Sequence, residues 1–289
     1  MLLKELIHTG IQTISHLYPE IEAREMVLAY LCDTLGVKRH THIVEPQYEV
    51  SDETVTRVMA AYERLVSGEP LQYVTGKAYF YGRGFRVTSD TLIPRPETEL
   101  LCRMAADGCP IRNPRVLDLC TGSGCIAWTL ALEFPNADVT AVDISDGALA
   151  VASSQDFAEE MTQTGAVAPR FMKTDVLAGP AAFSGQRFDL ILSNPPYVMD
   201  KAKALMRSNV LDHEPHLALF VSDSDPLVFY RAVADWAFHL LAPDGLGVVE
   251  INEALGEETA EVFRSKGFEN AVVVKDLYEK DRFVRFSWK

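Results

Sequence analysis

A chain of 289 residues, 48% hydrophobic and 24% charged, suits one domain of about 200 residues plus a smaller one, with composition enough for a sizeable core. Lys and Arg number 27 against 41 Asp and Glu, a net charge of −14 spread without an acidic tail; it repels phosphate backbones, and no cluster of basic residues interleaved with aromatics offsets it, which weighs against nucleic acid. No apolar run approaches the roughly 20 residues that cross a bilayer, so the expectation is a cytoplasmic protein with no membrane segment. Five cysteines, Cys32, Cys102, Cys109, Cys120 and Cys125, are odd in number and lack paired metal spacing, so they read as reduced thiols and no metal site is expected.

Residues 2–66 carry apolar positions at helical spacing: Leu3, Leu6, Ile7, Ile11 and Ile14, then Ile21, Met26, Val27, Tyr30 and Leu31, then Val55, Val58, Met59, Tyr62 and Leu65. Pro19, Gly36 and Pro46 punctuate this unit, and Ser51 is placed to cap the third helix. The pattern changes after Gly68 to aromatics with glycines, Tyr73, Gly76, Tyr79, Phe80, Tyr81, Gly82, Gly84 and Phe85, which suit a short hairpin or extended linker. The domain reading is therefore 1–70 helical, 71–90 hairpin linker and 91–289 the main domain.

From residue 116 the chain alternates strand and helix. Strands are expected over 116–119, 138–142, 170–172, 188–192 and 247–251; helices over 126–133, 146–160, 226–241 and about 255–265. Two closing strands, 271–274 and 283–286, leave no room for a helix between them and should pair antiparallel. Alternation of this kind implies a mostly parallel sheet with helices on both faces.

Two constellations carry chemistry. Asp118, Cys120, Thr121, Gly122, Ser123 and Gly124 stand at the carboxyl end of the first strand, where such sheets bind ligands, and Asp143 ends the second strand about 20 residues later, where an acid can accept from both hydroxyls of a ribose. The spacing fits a dinucleotide or S-adenosylmethionine alike. The three-glycine pyrophosphate fingerprint is missing, however, and the acidic Asp118 suits the ammonium of the sulfonium ligand better than a pyrophosphate. Asp143 as a helix N-cap and Gly124 as a packing glycine are the plainer alternatives. Asp175 and Val176, after the third strand, are placed toward the adenine, with a plain loop aspartate as the other reading.

Asn194, Pro195, Pro196 and Tyr197 follow the fourth strand. Asn supplies a side-chain carbonyl, Pro195 has no N–H, and Tyr197 adds a flat face, so the turn can grip a planar amide or amine. Two acceptors on an amide N–H2 help localise its lone pair for attack. That arrangement points to methylation of nitrogen.

With these residues in place the chain resembles the peptide chain release factor N(5)-glutamine methyltransferases. The matching stretches are 68–76, Phe80-Tyr81-Gly82, 92–99, the Thr121 to Gly124 loop, Asp143-Ile144-Ser145 with Ala148-Leu149, the 194–197 turn, Glu214-Pro215, Lys275-Asp276-Leu277 and Asp281-Arg282. The resemblance implies a seven-stranded, Rossmann-like class I methyltransferase sheet, mostly parallel with the last strand antiparallel, behind a small N-terminal helical domain that docks the release factor. It implies S-adenosyl-L-methionine as cofactor, Arg95 and Thr98 as pocket-lining residues, and the glutamine of a Gly-Gly-Gln loop as substrate. Asn194 and the Pro195 carbonyl would hold the glutamine amide, with Tyr197 beside its side chain. A monomer without direct nucleic-acid contact is the expected working state.

Departures stand beside it. Cys120 replaces a usual Gly, and the 120–125 loop is similar to that of the ribosomal-protein glutamine methyltransferases; Ile93 to Glu99 favours the release-factor branch. Ser153-Ser154-Gln155 replaces a common Asn and Val176 a frequent Trp. An N(6)-adenine nucleic-acid methyltransferase is the other alternative, because an exocyclic amine offers the same two donors; it would need stacking aromatics and a basic track.

Overall fold

The computed structural model describes all residues, Met1 to Lys289, and divides into two compact units. The first comprises Met1–Lys77 with Arg207–His213. Its helices are α1 (Leu3–Ile14), α2 (Glu20–Leu35), α3 (Thr41–Val44), α4 (Asp52–Val66) and α5 (Leu71–Thr75). Leu3, Leu6, Ile7 and Ile14 form one stripe of α1 and meet Val27 and Leu31 of α2 and Val58, Tyr62 and Leu65 of α4 in a core of their own. Ser51 caps α4, its hydroxyl accepting from Thr54 N at 3.4 Å. Leu71 and Val74 of α5 pack on this same core, so the segment read as the start of a linker is a helical turn of the first unit.

The second unit is Ala78–Met206 with Glu214–Lys289. A hairpin, β1 (Lys77–Phe80) and β2 (Arg83–Arg86), turns through Tyr81 and Gly82, both at positive φ, as the twist of a two-residue hairpin loop requires. It is not a free tether: Phe80 and Phe85 are buried, and Phe85 meets Phe157 at 5.1 Å between ring centroids. Arg83 Nη2 adds ion pairs to Glu133 at 3.0 Å and Glu160 at 2.6 Å.

Then come α6 (Thr98–Gly108), β3 (Arg115–Leu119), α7 (Cys125–Glu133), β4 (Asp138–Asp143), α8 (Asp146–Ser153), α9 (Ala158–Thr164), β5 (Arg170–Lys173), β6 (Phe188–Ser193) and β7 (Val198–Met199). After α10 (Ser208–Leu211), which lies in the first unit, follow α11 (His216–Leu219), β8 (Phe220–Val221), α12 (Val228–Leu240), β9 (Leu241–Glu250), α13 (Gly256–Ser265), β10 (Val272–Lys275) and β11 (Asp281–Phe286). Seven strands form one sheet in the order β10-β11-β9-β6-β3-β4-β5. β3 pairs in parallel with β4 and β6, β4 with β5 and β6 with β9, while β11 alone runs opposite to both of its neighbours.

Alternation along the strands sends Val116, Leu190, Leu192 and Val248 to the face covered by α6 and α7, and Leu117, Leu119, Ile191 and Val249 to the face covered by α12 and α13. Burial on both faces explains why these strands read as nearly unbroken apolar runs. The chain leaves β3 toward β4 and β5, then returns to β6 on β3's other side, which puts the topological switch point between β3 and β6.

Two expected elements differ. The single helix over 146–160 is two, because the buried Gln155 is drawn out of helical conformation: its Oε1 accepts from Arg86 N at 2.8 Å, and its Nε2 donates to Arg86 O at 2.9 Å and Ser123 O at 3.0 Å. Phe157 beside it packs on Trp128. The strand expected from 247 begins at Leu241, where it pairs with Phe188 across an irregular register.

Candidate active site

Strand register sets the site. Leu119 lies opposite Ser193 on one side and Val142 on the other, so β6, β3 and β4 end at one level and release their loops side by side. Ser193 Oγ donates to Leu119 O at 2.8 Å and ties the first two ends together. Above them opens a solvent-open cleft lined from all three loops, with Thr121, Asp143 and Asn194 on its walls, the usual place for a ligand in such a sheet.

Cys120, Thr121, Gly122 and Ser123 form its floor. Gly122 has φ of 55° with open space where a Cβ would stand, whereas Gly124, at φ of 80°, would press a Cβ to 3.0 Å from that of Ala152. Gly124 is thus a packing glycine and does not line the cleft. Cys120 itself sits at φ of 62°, in the left-handed region that favours glycine, which accounts for the usual Gly there.

Asp118 is fully buried beneath the loop and does not line the cleft either. Its Oδ2 accepts from Thr121 Oγ1 at 2.6 Å, so it anchors the loop from below. Burial pushes its carboxyl up to about 7; the Thr121 hydrogen bond opposes that and the charge of Asp143 adds to it.

Asp143 faces the cleft, its Oδ2 accepting from Gly122 N and its Oδ1 from Ser145 N, each at 2.9 Å. The cap of α8 is Ser145, whose hydroxyl accepts from Ala148 N, so Asp143 is not that helix's N-cap. A carboxylate has about four acceptor sites, which leaves capacity for ribose hydroxyls. Asp175 and Val176 also line the cleft, Asp175 Oδ1 accepting from Leu177 N at 2.9 Å. Ile144, Val176 and Leu177 give this end apolar walls suited to a planar base.

At the other end stand Asn194 and Pro196, with Arg95 and Thr98 across from them. Arg95 Nη2 is held by Glu214 Oε1 and Oε2 at 2.8 and 3.0 Å, and Glu214 Oε2 also accepts from Ile93 N at 3.3 Å. Pro195 is buried and is not part of the wall. Tyr197 differs from expectation too: its ring packs on the α12 side of the sheet, and its hydroxyl donates to Glu250 Oε1 at 2.9 Å, away from the cleft.

Glu250, at the end of β9, is 1% exposed. Its Oε2 accepts from Thr98 Oγ1 at 2.6 Å, and Thr98 Oγ1 accepts in turn from Asn194 Nδ2 at 3.2 Å. Burial raises its carboxyl above the usual range, against the two hydroxyl donors and the charge of Arg282. In the sequence, Glu214 stands out only as part of a matching stretch, with no role attached, and Glu250 is not singled out at all. For Glu250 a signal existed: like Asp118 and Asp143, it is an acid in an apolar strand near its carboxyl end.

Residues 5–76 match the PrmC N-terminal domain and residues 97–217 the methyltransferase small domain. The release factor glutamine methyltransferase of Flavobacterium psychrophilum is 35% identical over the whole of both chains. The chain belongs to the release factor glutamine methyltransferases. A second member of that family, from Bacteroides thetaiotaomicron, is 38% identical over 94% of this chain and 95% of its own. In fold, the chain is similar to the crystal structure of a methyltransferase from Pyrococcus furiosus, with a TM-score of 0.50 and 15% identity over 82% of this chain and 99% of that one. As a release factor glutamine methyltransferase, it is a methyltransferase with the seven-stranded sheet of its class.

Proposed function

We propose that the protein transfers a methyl group from S-adenosyl-L-methionine to the side-chain amide nitrogen of the glutamine in the Gly-Gly-Gln motif of class-one peptide chain release factors. The observation that carries this reading is the alignment of strand ends, which sets Asn194 beside the Cys120–Gly124 loop and Asp143 in one cleft. The donor set fits the cofactor: Asp143 for the ribose, Val176 and Leu177 flanking the base, and the glycine-bearing floor for close approach of the backbone. When bound, the cofactor supplies a methyl group activated by its sulfonium.

Asn194 Oδ1, on the cleft wall, accepts from the glutamine N–H2 and holds the amide with its nitrogen lone pair open to the methyl donor. The glutamine nitrogen would take the methyl group from the sulfonium, whose sulfur would be left as a neutral thioether, and the proton would pass from the nitrogen to solvent once methylation had made it acidic. No dedicated base is needed, because acceleration comes from orientation, for which effective molarities of about 10⁵ M and above are known. The 1–77 unit docks the release factor, and the protein works as a cytoplasmic monomer without direct nucleic-acid contact; a separate core and a separate family match over residues 5–76 support the docking role.

Incubation with labelled methyl donor and three acceptors tests this reading: a class-one release factor, a ribosomal glutamine substrate and duplex DNA. Label is expected on the release factor. Label on DNA alone would overturn the reading.

A further inference from the structure

We propose that Glu250, acting through Thr98, is the positioning residue that decides which end of the Asn194 amide faces the cleft. The inference rests on the function proposed above and deepens it.

An asparagine side chain presents an acceptor at one end and two donors at the other, and the two ends have nearly the same shape. Turned one way, Asn194 accepts from the substrate amide; turned the other way, it sets N–H against N–H. Its hydrogen-bond partners must therefore fix the choice.

Proton counting along the chain of contacts supplies that choice. Glu250 receives hydroxyls at both oxygens, Tyr197 at Oε1 and Thr98 at Oε2. The Thr98 contact, 2.6 Å, has the length of a charge-assisted O–H to carboxylate bond. A hydroxyl has one hydrogen, so Thr98, having given it to Glu250, can only accept from Asn194. Asn194 must then turn Nδ2 toward Thr98, as the 3.2 Å contact shows, and Oδ1, which takes no hydrogen bond from the protein, is left for the substrate.

The arrangement is held from all sides. Thr98 is the first residue of α6 and Glu250 is near the end of β9, two elements that pack together, and both side chains are buried. Tyr197, three residues beyond Asn194 in the same turn, is fixed to the same carboxylate, with its own carbonyl accepting from Asn252 Nδ2 at 3.1 Å. Glu250 thus holds the substrate-binding turn directly at Tyr197 and, through Thr98, at Asn194.

Glu250→Gln keeps shape but loses direction. Its N–H2 can donate to Thr98, whose hydrogen then swings to Asn194 and draws the carbonyl end away from the cleft. Thr98→Val removes the link from the other side.

The test is a double-mutant cycle on methylation of a class-one release factor, with S-adenosylhomocysteine affinity measured alongside. Asn194→Ala is expected to lower kcat by about 100-fold or more. Glu250→Gln and Thr98→Val should each lower kcat by about 10-fold or more, with the affinity for S-adenosylhomocysteine within about 3-fold of wild type. Thr98→Ser, which keeps the hydroxyl, should recover most of what Thr98→Val loses. The double variant Glu250→Gln with Asn194→Ala should match Asn194→Ala alone, because an orienting residue has nothing left to orient. Wild-type kcat in Glu250→Gln, or losses that multiply in the double variant, would overturn the inference while leaving the proposed function standing. A wild-type protein inactive on the release factor would remove both.

Discussion

At Asp118 a carboxylate lies where no water reaches, beneath the loop it anchors through Thr121. Its ordinary pKa of 3.8 rises to about 7 in the folded protein, so between those values the folded state holds a proton that the unfolded chain has released. The stability linked to this proton is fully present below the ordinary value and is lost as pH rises through about 7, at roughly 1.4 kcal/mol per unit of displacement. Denaturation curves of the ligand-free protein should therefore show wild type losing ground to Asp118→Asn as pH rises from 4 to 8, on the order of the displacement itself. A gap between the two proteins that stays constant with pH would contradict the assignment. Asp143 and Asn194 stand out in the sequence because each ends or follows a short apolar run; Asp118 stands out for the same reason, but its place beneath the loop, and not against the ligand's ammonium, comes only from the fold. Thr98 and Glu250 were not legible as partners, since 152 positions separate them and only the folded sheet brings them to 2.6 Å. Tyr197 was read as an aromatic face for the substrate, but its hydroxyl finds Glu250 and the ring follows it away from the cleft.

Among the elements, the parallel strands were the most readable, because burial on both faces leaves an apolar run bounded by turns. The helix over 146–160 was misread for a reason that local sequence does not contain. Gln155 is a good helix former, yet three hydrogen bonds to Arg86 and Ser123 outweigh its propensity and split α8 from α9. These bonds tie the β1–β2 hairpin to the floor of the cleft. Gln155→Leu should unfold at lower denaturant concentration, with a loss on the order of 2–4 kcal/mol, since it leaves backbone groups of Arg86 and Ser123 without partners. An unchanged midpoint would show that the aromatic packing of Phe85, Phe157 and Trp128 alone holds the hairpin. The short helices α10 and α11 and the first six residues of β9 also escaped the sequence reading, being too brief or too interrupted by Pro243 and Gly245 to show a period.

For the whole molecule, the abrupt change of pattern near Gly68 separated a helical unit from an α/β unit, and each has a core of its own. Less legible was the return of Arg207–His213 to the first unit, a contact between distant parts of the chain. No helix is long and apolar enough to cross a membrane. The relative matched across the full length of the chain is named a release factor glutamine methyltransferase, after a protein substrate. On the proposed function, the cleft at the switch point methylates one glutamine amide nitrogen. Fragmentation mass spectrometry of a class-one release factor, incubated with the protein and S-adenosyl-L-methionine, tests it most directly. One methyl group is expected, located on the side-chain nitrogen of the Gly-Gly-Gln glutamine and absent when Asn194→Ala replaces the wild type over the same short interval. A methyl group on any other residue, or the same yield from the variant, would contradict the claim.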